Sequence, residues 1–307
     1  MINSNMKGII MNRSKIIGST ALASLMAAGA ASAEMSISGF VSGKFMDNDG
    51  GGLSQSMSTN SIYVSYSDSL DNGMGLSVFM SISNAGANEN GISIDTGMGT
   101  IGFGETQHSA VDGMDSNPGC FSILDCYNVA ISGKGGGAAG IYDDGDASSG
   151  NSIKYSNSMG GVSFAISRGM ESATNEPTMS YAAKTTIMGA TVAAGVSAID
   201  VKSGTDSDPS FVTVGYSIAG LNLGYAMYDS DTGGEETQMG VGTSVAGFDV
   251  GVQFAEHDYT TDTDYMRVSV NKGLGAMSLG VDYIETDESG GTTNDTDVYK
   301  LNYVIGF

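Results

Sequence analysis

The chain has 307 residues with 46 glycines, 3 prolines, 34 acidic and 12 basic side chains, and a formal net charge of -22. This excess of acid excludes a nucleic-acid-binding protein, because such affinity depends on Lys and Arg neutralising phosphates. Glycine has about twice its usual share, yet without a Gly-X-Y period or many prolines it must serve an ordered fold. Beyond the N-terminal region no apolar run reaches the roughly 18 residues of a spanning helix, so strands would have to cross any membrane.

The N-terminal segment has the features of an export signal. An apolar stretch over 16–30 is followed by Ala-Ser-Ala at 31–33, the small residues that signal peptidase prefers. Removing 1–33 takes away three basic side chains and no acidic ones, and takes the net charge from -22 to -25. We therefore expect a signal peptide over 1–33 and one mature domain over 34–307. The basic residues before the apolar stretch are Lys7, Arg13 and Lys15.

Apolar and polar residues alternate along most of the mature chain, which is the pattern of half-buried strands. Over 248–254, for example, Phe248, Val250, Val252 and Phe254 lie on one face and polar or small residues on the other. Clusters of Gly, Asn and Asp interrupt the alternation. The pattern predicts sixteen strands, near 35–46, 60–68, 75–83, 91–96, 99–105, 151–157, 161–168, 178–185, 189–198, 210–217, 220–228, 237–244, 247–256, 264–271, 275–284 and 297–307.

The connections between these strands alternate between short and long. Short ones such as 71–73 and 219–220 contain residues that tolerate a positive φ, whereas 47–58, 229–236 and 285–296 are long and acidic. An even number of antiparallel strands with this alternation indicates an all-β, closed, sixteen-stranded transmembrane barrel with short periplasmic turns and long external loops. A secreted β-sandwich has similar strands, but the regular loop alternation and a chain that ends inside a strand argue against it.

The connection over 106–150 is far longer than the others, and loops of this length are usually functional. We expect its first part, over 111–129, to fold into the barrel and narrow the pore. Its carboxylates Asp112, Asp115 and Asp125 would then lie at the constriction. The Gly-rich part over 133–150 also suits a solvated surface loop.

Cys120 and Cys126 lie six positions apart within this connection. Exported proteins fold in an oxidising compartment, so we predict a disulfide that closes a small loop. Two cysteines and two scattered histidines make a poor metal site, and none is predicted.

The last strand carries a family resemblance. The terminal sequence YKLNYVIGF is similar to the C-terminal signal by which the barrel-assembly machinery recognises outer-membrane barrels. The sequences EMSISGFVSGKF at 34–45, GMGTIGFGE at 97–105 and NSIKY at 151–155 resemble the general porins of Gram-negative bacteria, especially their alphaproteobacterial branch. The alternating residues of the terminal signal are Tyr299, Leu301, Tyr303, Ile305 and Phe307.

This resemblance implies a homotrimer in the bacterial outer membrane, surrounded by its lipids and lipopolysaccharide. Each barrel would hold a water-filled pore narrowed by the third external loop, here the connection over 106–150.

Basic residues are scarce, so their positions are informative. By the strand alternation, five of the nine bases that remain after removal of 1–33 point toward the barrel interior, where a charge stays hydrated. They would either face the acidic loop across a transverse field or simply solvate the wall. The five residues are Lys44, Lys154, Lys184, Arg267 and Lys300.

The long connections are rich in carboxylates. Such a negative mouth enriches cations, so we expect a modest cation preference. Clustered carboxylates can also hold Ca²⁺, but no EF-hand spacing is present, so this is a weak signal, and we expect no cofactor.

The expected function is passive diffusion of small hydrophilic solutes and ions. A substrate-selective channel is the nearest alternative, and an exported β-rich adhesin without conductance is a more distant one. An enzyme is not expected, because the chain has no G-x-S-x-G nucleophile elbow and only two histidines, His108 and His257.

Overall fold

A computed structural model describes residues 34–48, 52–57, 60–83, 90–104, 110–111, 114, 152–171, 176–200, 202–203, 206–229, 234–258, 262–288 and 296–307. These residues form strands joined by turns. The strands are β1 (Glu34–Asn48), β2 (Gly52–Met57), β3 (Ser61–Ser69), β4 (Gly75–Ser83), β5 (Asn90–Asp95), β6 (Thr100–Gly104), β7 (Ser152–Met159), β8 (Val162–Gly169), β9 (Met179–Ile187), β10 (Ala190–Ala198), β11 (Ser210–Ile218), β12 (Leu221–Asp229), β13 (Glu235–Val245), β14 (Phe248–Asp258), β15 (Thr263–Leu274), β16 (Met277–Glu288) and β17 (Thr296–Gly306).

The strands form one closed antiparallel sheet. From β3 onward each strand pairs with the next along the chain, and β17 pairs with β1 from Phe40–Gly306 to Asn48–Val298. The segments β2 and β3 share one position in the wall, because both pair with β1. The barrel therefore has sixteen strand positions, as the sequence predicts, and no open edge in its wall.

One predicted loop is largely strand. The sequence predicts a long polar connection over 47–58, but β1 continues to Asn48 and β2 pairs with it from Gly43–Met57 to Asn48–Gly52. Leu53, Gln55 and Met57 alternate there with Ser54 and Ser56. This period-two pattern is short and follows directly on glycines, so it did not indicate a strand. Similarly, β16 continues to Glu288, so the predicted connection over 285–296 is shorter than expected.

Most turns at one end of the barrel are two-residue hairpins. In three of them a non-glycine residue with positive φ precedes a glycine: Met188 (φ 51°), Ala219 (φ 51°) and Ala246 (φ 52°). Two successive positive φ values define the type I′ turn, whose twist matches that of the flanking strands. Glu34, which begins β1, and Phe307, which follows β17, lie at this same end of the wall.

The two faces of the wall differ in chemistry. The outward positions carry apolar side chains that remain exposed, such as Ile37, Ile92, Val212 and Leu301. The inward positions carry mostly serine, threonine, glycine, amide and charged side chains. An apolar outer band around a polar interior defines a transmembrane β-barrel.

No helix among the described residues is long and apolar enough to cross a membrane. Residues 1–33 lie outside the described ranges, so the signal peptide stays a prediction.

The seam between β1 and β17 is packed by aromatic rings over glycines. The backbone N–H of Gly39 donates to the carbonyl of Phe307 (2.9 Å), and the N–H of Phe307 donates back to the carbonyl of Gly39 (3.0 Å). A Cβ added at Gly39 would lie 2.6 Å from the Phe307 ring and 2.5 Å from the carbonyl oxygen of Ser61. Gly43 is covered in the same way by Tyr303. The absence of side chains at Gly39 and Gly43 thus lets the last strand pack closely on β1 and close the barrel.

Replacing Gly39 by Val should weaken this seam by about 1–3 kcal/mol, because the added methyl groups must displace a ring and a backbone carbonyl. Denaturant unfolding of the protein in detergent measures the change. Gly273→Val is the matched control, since nothing lies within 4 Å of a Cβ added at Gly273. Equal stability of the two variants would contradict the role assigned to the seam.

Candidate functional site: the inner wall of the barrel

All five predicted bases lie on inward positions, but they do not form one cluster. Lys44 and Lys300 lie on the adjacent strands β1 and β17, and Arg267 lies on β15, two strands from β17. Lys154 lies near the external end of β7, and Lys184 lies three residues before the turn end of β9. Three bases therefore share one arc of the wall, and two stand apart from it.

The basic arc over β15, β16, β17 and β1 also contains a buried acid that the sequence analysis missed. Asp282 pairs with Lys300 across β16 and β17, and Asn302 pairs with Lys44 across β17 and β1. The amide of Asn302 donates to a carboxylate oxygen of Asp282 at 2.5 Å. Period-two alternation places Asp282 inside the barrel, so its position was available to sequence reasoning.

Further polar side chains lie on β15 and on the neighbouring strands β13 and β14. Arg267 is 1% exposed and its guanidinium carbon lies 5.6 Å from the centre of the Tyr265 ring. On β13 and β14, Gln253 donates to Gln238 (3.0 Å), whose amide donates to Glu236. Charges of both signs thus lie on the wall between β13 and β1.

The described part of the long connection packs on a different arc. Ala110, Val111 and Met114 are buried and form one cluster with alanines and aromatic residues of the inner wall. The backbone N–H of Ala110 donates to the hydroxyl of Ser167 on β8 at 2.7 Å. The small wall residues leave the space that the loop occupies. The wall members of the cluster are Ala165, Ala182, Ala193, Phe211, Ala226 and Tyr228.

This docking arc, over β8 to β12, lies across the barrel from the basic arc over β15 to β1. The loop therefore enters the interior, at least where the structure describes it. The predicted constriction acids Asp112, Asp115 and Asp125 and the predicted disulfide partners Cys120 and Cys126 lie outside the described residues and stay predictions.

A third arc, made of the inward positions over 36–42, 61–67 and 77–83, carries no charge. The inward side chains of β1, β3 and β4 include Phe40, Tyr63 and Phe79, whose rings follow one another with centroids 6.1 and 5.5 Å apart. Serines occupy the neighbouring inward positions. The sequence analysis missed this row of rings, because the three residues meet only through strand pairing.

The external ends of several strands carry the acids that the sequence assigns to loops. Glu256 pairs with Asp264, and Asp264 pairs with Asp287, on the outer face of β14 to β16. No group of three or more His, Cys, Asp or Glu residues in the described part of the chain is arranged to hold a metal ion.

Two hydrogen bonds link the external connection between β8 and β9 to the one between β10 and β11. Lys202 donates to Glu171 at 2.5 Å, and the backbone N–H of Glu176 donates to the carbonyl of Asp200 at 2.9 Å. The Lys202 ammonium lowers the pKa of the Glu171 carboxyl, first by this hydrogen bond and then by its charge.

The five residues of the predicted assembly signal all lie on the outer face of the last strand. Phe307 is 65% exposed and follows β17 at the seam with β1. Their recognition by an assembly machine stays a prediction.

The barrel, its polar interior and its infolded loop segment define a porin-like channel. The family model of Gram-negative porins matches residues 18–304. The chain belongs to this family, and with it to the outer membrane. Comparison with curated proteins gives no match.

Solved structures of outer-membrane proteins, two of them porins, share the fold at low sequence identity. The anion-selective porin of Comamonas acidovorans has 13% identity and a TM-score of 0.67, covering 90% of this chain and 100% of its own. OmpT, an outer membrane protein of Vibrio cholerae, has 13% identity and a TM-score of 0.67, covering 91% and 99%. A variant of Rh. blastica porin has 15% identity and a TM-score of 0.61, covering 89% and 100%.

Replacing Ser167 by Ala should loosen the loop from the wall. The buried N–H of Ala110 would lose its acceptor, at a cost of about 1–3 kcal/mol. Limited proteolysis of the 105–151 connection in native membranes measures the effect, and we expect faster cleavage. Ser163→Ala is the control, because Ser163 lies on the same strand and face but bonds to Ser158. Equal cleavage of both variants would refute loop docking through Ser167.

The contact between Glu171 and Lys202 should depend on pH. Because the folded-state pKa of Glu171 is lowered, the contact contributes above the ordinary glutamate pKa and is lost as the pH falls through the lowered value. Carbon-13 NMR titration of the Glu171 carboxyl should show the lowered pKa, and Lys202→Met should raise it while Lys202→Arg should not. An unchanged titration in Lys202→Met would contradict the assignment.

Proposed function

We propose that this porin forms a water-filled pore for passive diffusion of small hydrophilic solutes and ions, with a weak preference for cations. The observation that carries the proposal is the division of the wall into an apolar outer face and a polar inner face around a closed circuit of sixteen strand positions. Barrels of sixteen to eighteen strands are wide enough to leave an aqueous channel. A wall of this kind lets solutes diffuse through the barrel without any catalytic group.

The infolded loop supports a pore that is narrowed on one side. Val111 and Met114 fill space over the docking arc, so the open cross-section shifts toward the basic and serine-lined arcs. If the carboxylates after Val111 face the opposite wall, Lys44, Lys300 and Arg267 supply the positive side of a transverse field. Such a field orients dipolar solutes and disfavours apolar ones, since ordered water is costly to displace.

Weak cation preference follows from two opposing sets of charge. The strongly acidic chain concentrates carboxylates at the external ends of its strands, which attracts cations to the mouth. The basic arc inside opposes this attraction. The similar Comamonas protein is described as anion-selective, so charge placement rather than the shared fold must set selectivity.

A homotrimer is the assembly we propose. One structure of the similar Vibrio cholerae OmpT is a trimer form, with 13% identity and a TM-score of 0.66. Outer-membrane lipid and lipopolysaccharide would contact the exposed apolar band, and the segment over 1–33 would direct export before its removal.

Planar-bilayer recording of the protein extracted from outer membranes tests the pore. We expect stepwise openings in groups of three and a reversal potential in a salt gradient that is biased toward the cation. Bilayer-inserted, folded protein without conductance would overturn the proposal.

The double variant Lys44→Met/Lys300→Met should raise the permeability ratio of K⁺ to Cl⁻ about fivefold. A unit charge about 4 Å from an ion contributes roughly 1 kcal/mol in water, which corresponds to a change of this size. The measured quantity is the reversal potential at low ionic strength, where screening is weak. Lys272→Met is the control, because Lys272 lies on the outer face, 3.9 Å above the Phe248 ring. An unchanged permeability ratio in the double variant would show that neither Lys44 nor Lys300 lies beside the ion path.

A further inference from the structure

The inner face of β1, β3 and β4 has an unusual composition. Every inward position over 36–42, 61–67 and 77–83 is either serine or aromatic, and none is charged. The basic arc over β15 to β1 instead combines bases with an acid and an amide, and the docking arc is rich in alanine. We call this surface the serine-aromatic wall. Its aromatic members are Phe40, Tyr63 and Phe79, and all its other members are serines.

The three rings of this wall form a diagonal row. Phe40 and Tyr63 have centroids 6.1 Å apart and planes tilted by 34°, and Tyr63 and Phe79 have centroids 5.5 Å apart and planes tilted by 32°. Each ring is displaced by two residues from its partner's register, since Tyr63 pairs with Ser38 and Phe79 pairs with Ser65. All three side chains are half-buried. Part of each ring therefore faces the lumen.

Hydroxyl groups lie along one side of the row. Ser36, Ser38, Ser67 and Ser77 are exposed, whereas Ser61 on the opposite side is buried. The hydroxyls of Ser36 and Ser65 are 2.6 Å apart, so the serines are close enough to act together. A serine hydroxyl both donates and accepts hydrogen bonds.

We infer that the serine-aromatic wall is a subsite for neutral sugars as they pass through the pore. The C–H face of a pyranose packs on an aromatic ring, while its hydroxyls, which also donate and accept, match the serines. An anionic or cationic solute finds no charged partner on these positions and is better accommodated near Arg267, Lys300 and Asp282. This inference rests on the proposed pore and specifies a solute class for it.

Ion-current recording in the presence of maltohexaose tests the inference. With the wild-type protein in KCl, we expect brief sugar-dependent interruptions of the open current. A poly(ethylene glycol) fraction of equal hydrodynamic radius should produce shorter ones, because it lacks pyranose faces. The double variant Tyr63→Leu/Phe79→Leu should shorten the sugar residence time about tenfold, while its sugar-free conductance stays close to that of wild type.

Two control variants separate the rings from their surroundings. Tyr63→Phe keeps the ring face and should retain most of the residence time. Phe103→Leu changes an aromatic residue on the outer face of β6 and should have no effect.

The outcomes distinguish the two proposals. Absence of any KCl conductance from folded, inserted wild-type protein would overturn the pore itself. Normal conductance without sugar-dependent interruptions would overturn only the sugar subsite, as would equal residence times in wild type and the double variant. Should the double variant fail to conduct, single Phe79→Leu and Tyr63→Leu variants provide the same comparison.

Discussion

The structure depends on one constraint: in hydrocarbon every backbone N–H and C=O must find a partner within the protein. A sheet satisfies this only by closing on itself, and here closure joins the first strand, β1, to the last strand, β17. The mutual backbone bonds between Gly39 and Phe307 lie at this seam. Glycine on β1 and aromatic residues on β17 are therefore complementary parts of one joint, although more than 260 positions separate them.

Closure also determines what the interior can be. Period-two alternation sends alternate side chains to opposite faces, so an apolar outer band requires that the remaining residues line the lumen. The protein divides this lining into arcs with different roles. Alanines on β8 to β12 contact the loop segment that contains Ala110, Val111 and Met114, charged and amide side chains occupy β13 to β17 together with Lys44 of β1, and serines with three rings cover the inward positions over 36–42, 61–67 and 77–83.

The arcs explain how one fold serves different solutes. The similar solved porins share the barrel at 13–15% identity, so the wall composition is free to vary while the backbone architecture stays. Selectivity then depends on which inward side chains face the lumen. In this chain Ala110, Val111 and Met114 pack against the docking arc, and the basic and serine-aromatic surfaces lie on the other side of the barrel.

The sequence by itself determined the number of strand positions, the inward direction of Lys44, Lys154, Lys184, Arg267 and Lys300, and the unusual length of the third external connection. These properties are local, because side-chain direction in a strand repeats every two residues. The sequence did not predict the pairing of β2 with β1, because glycines interrupt the alternation there. Only the tertiary structure decided which inward residues meet. Lys44 lies opposite Asn302, and Phe40 lies beside Tyr63, through the register between strands. This register depends on closure of the whole sheet and not on any one segment.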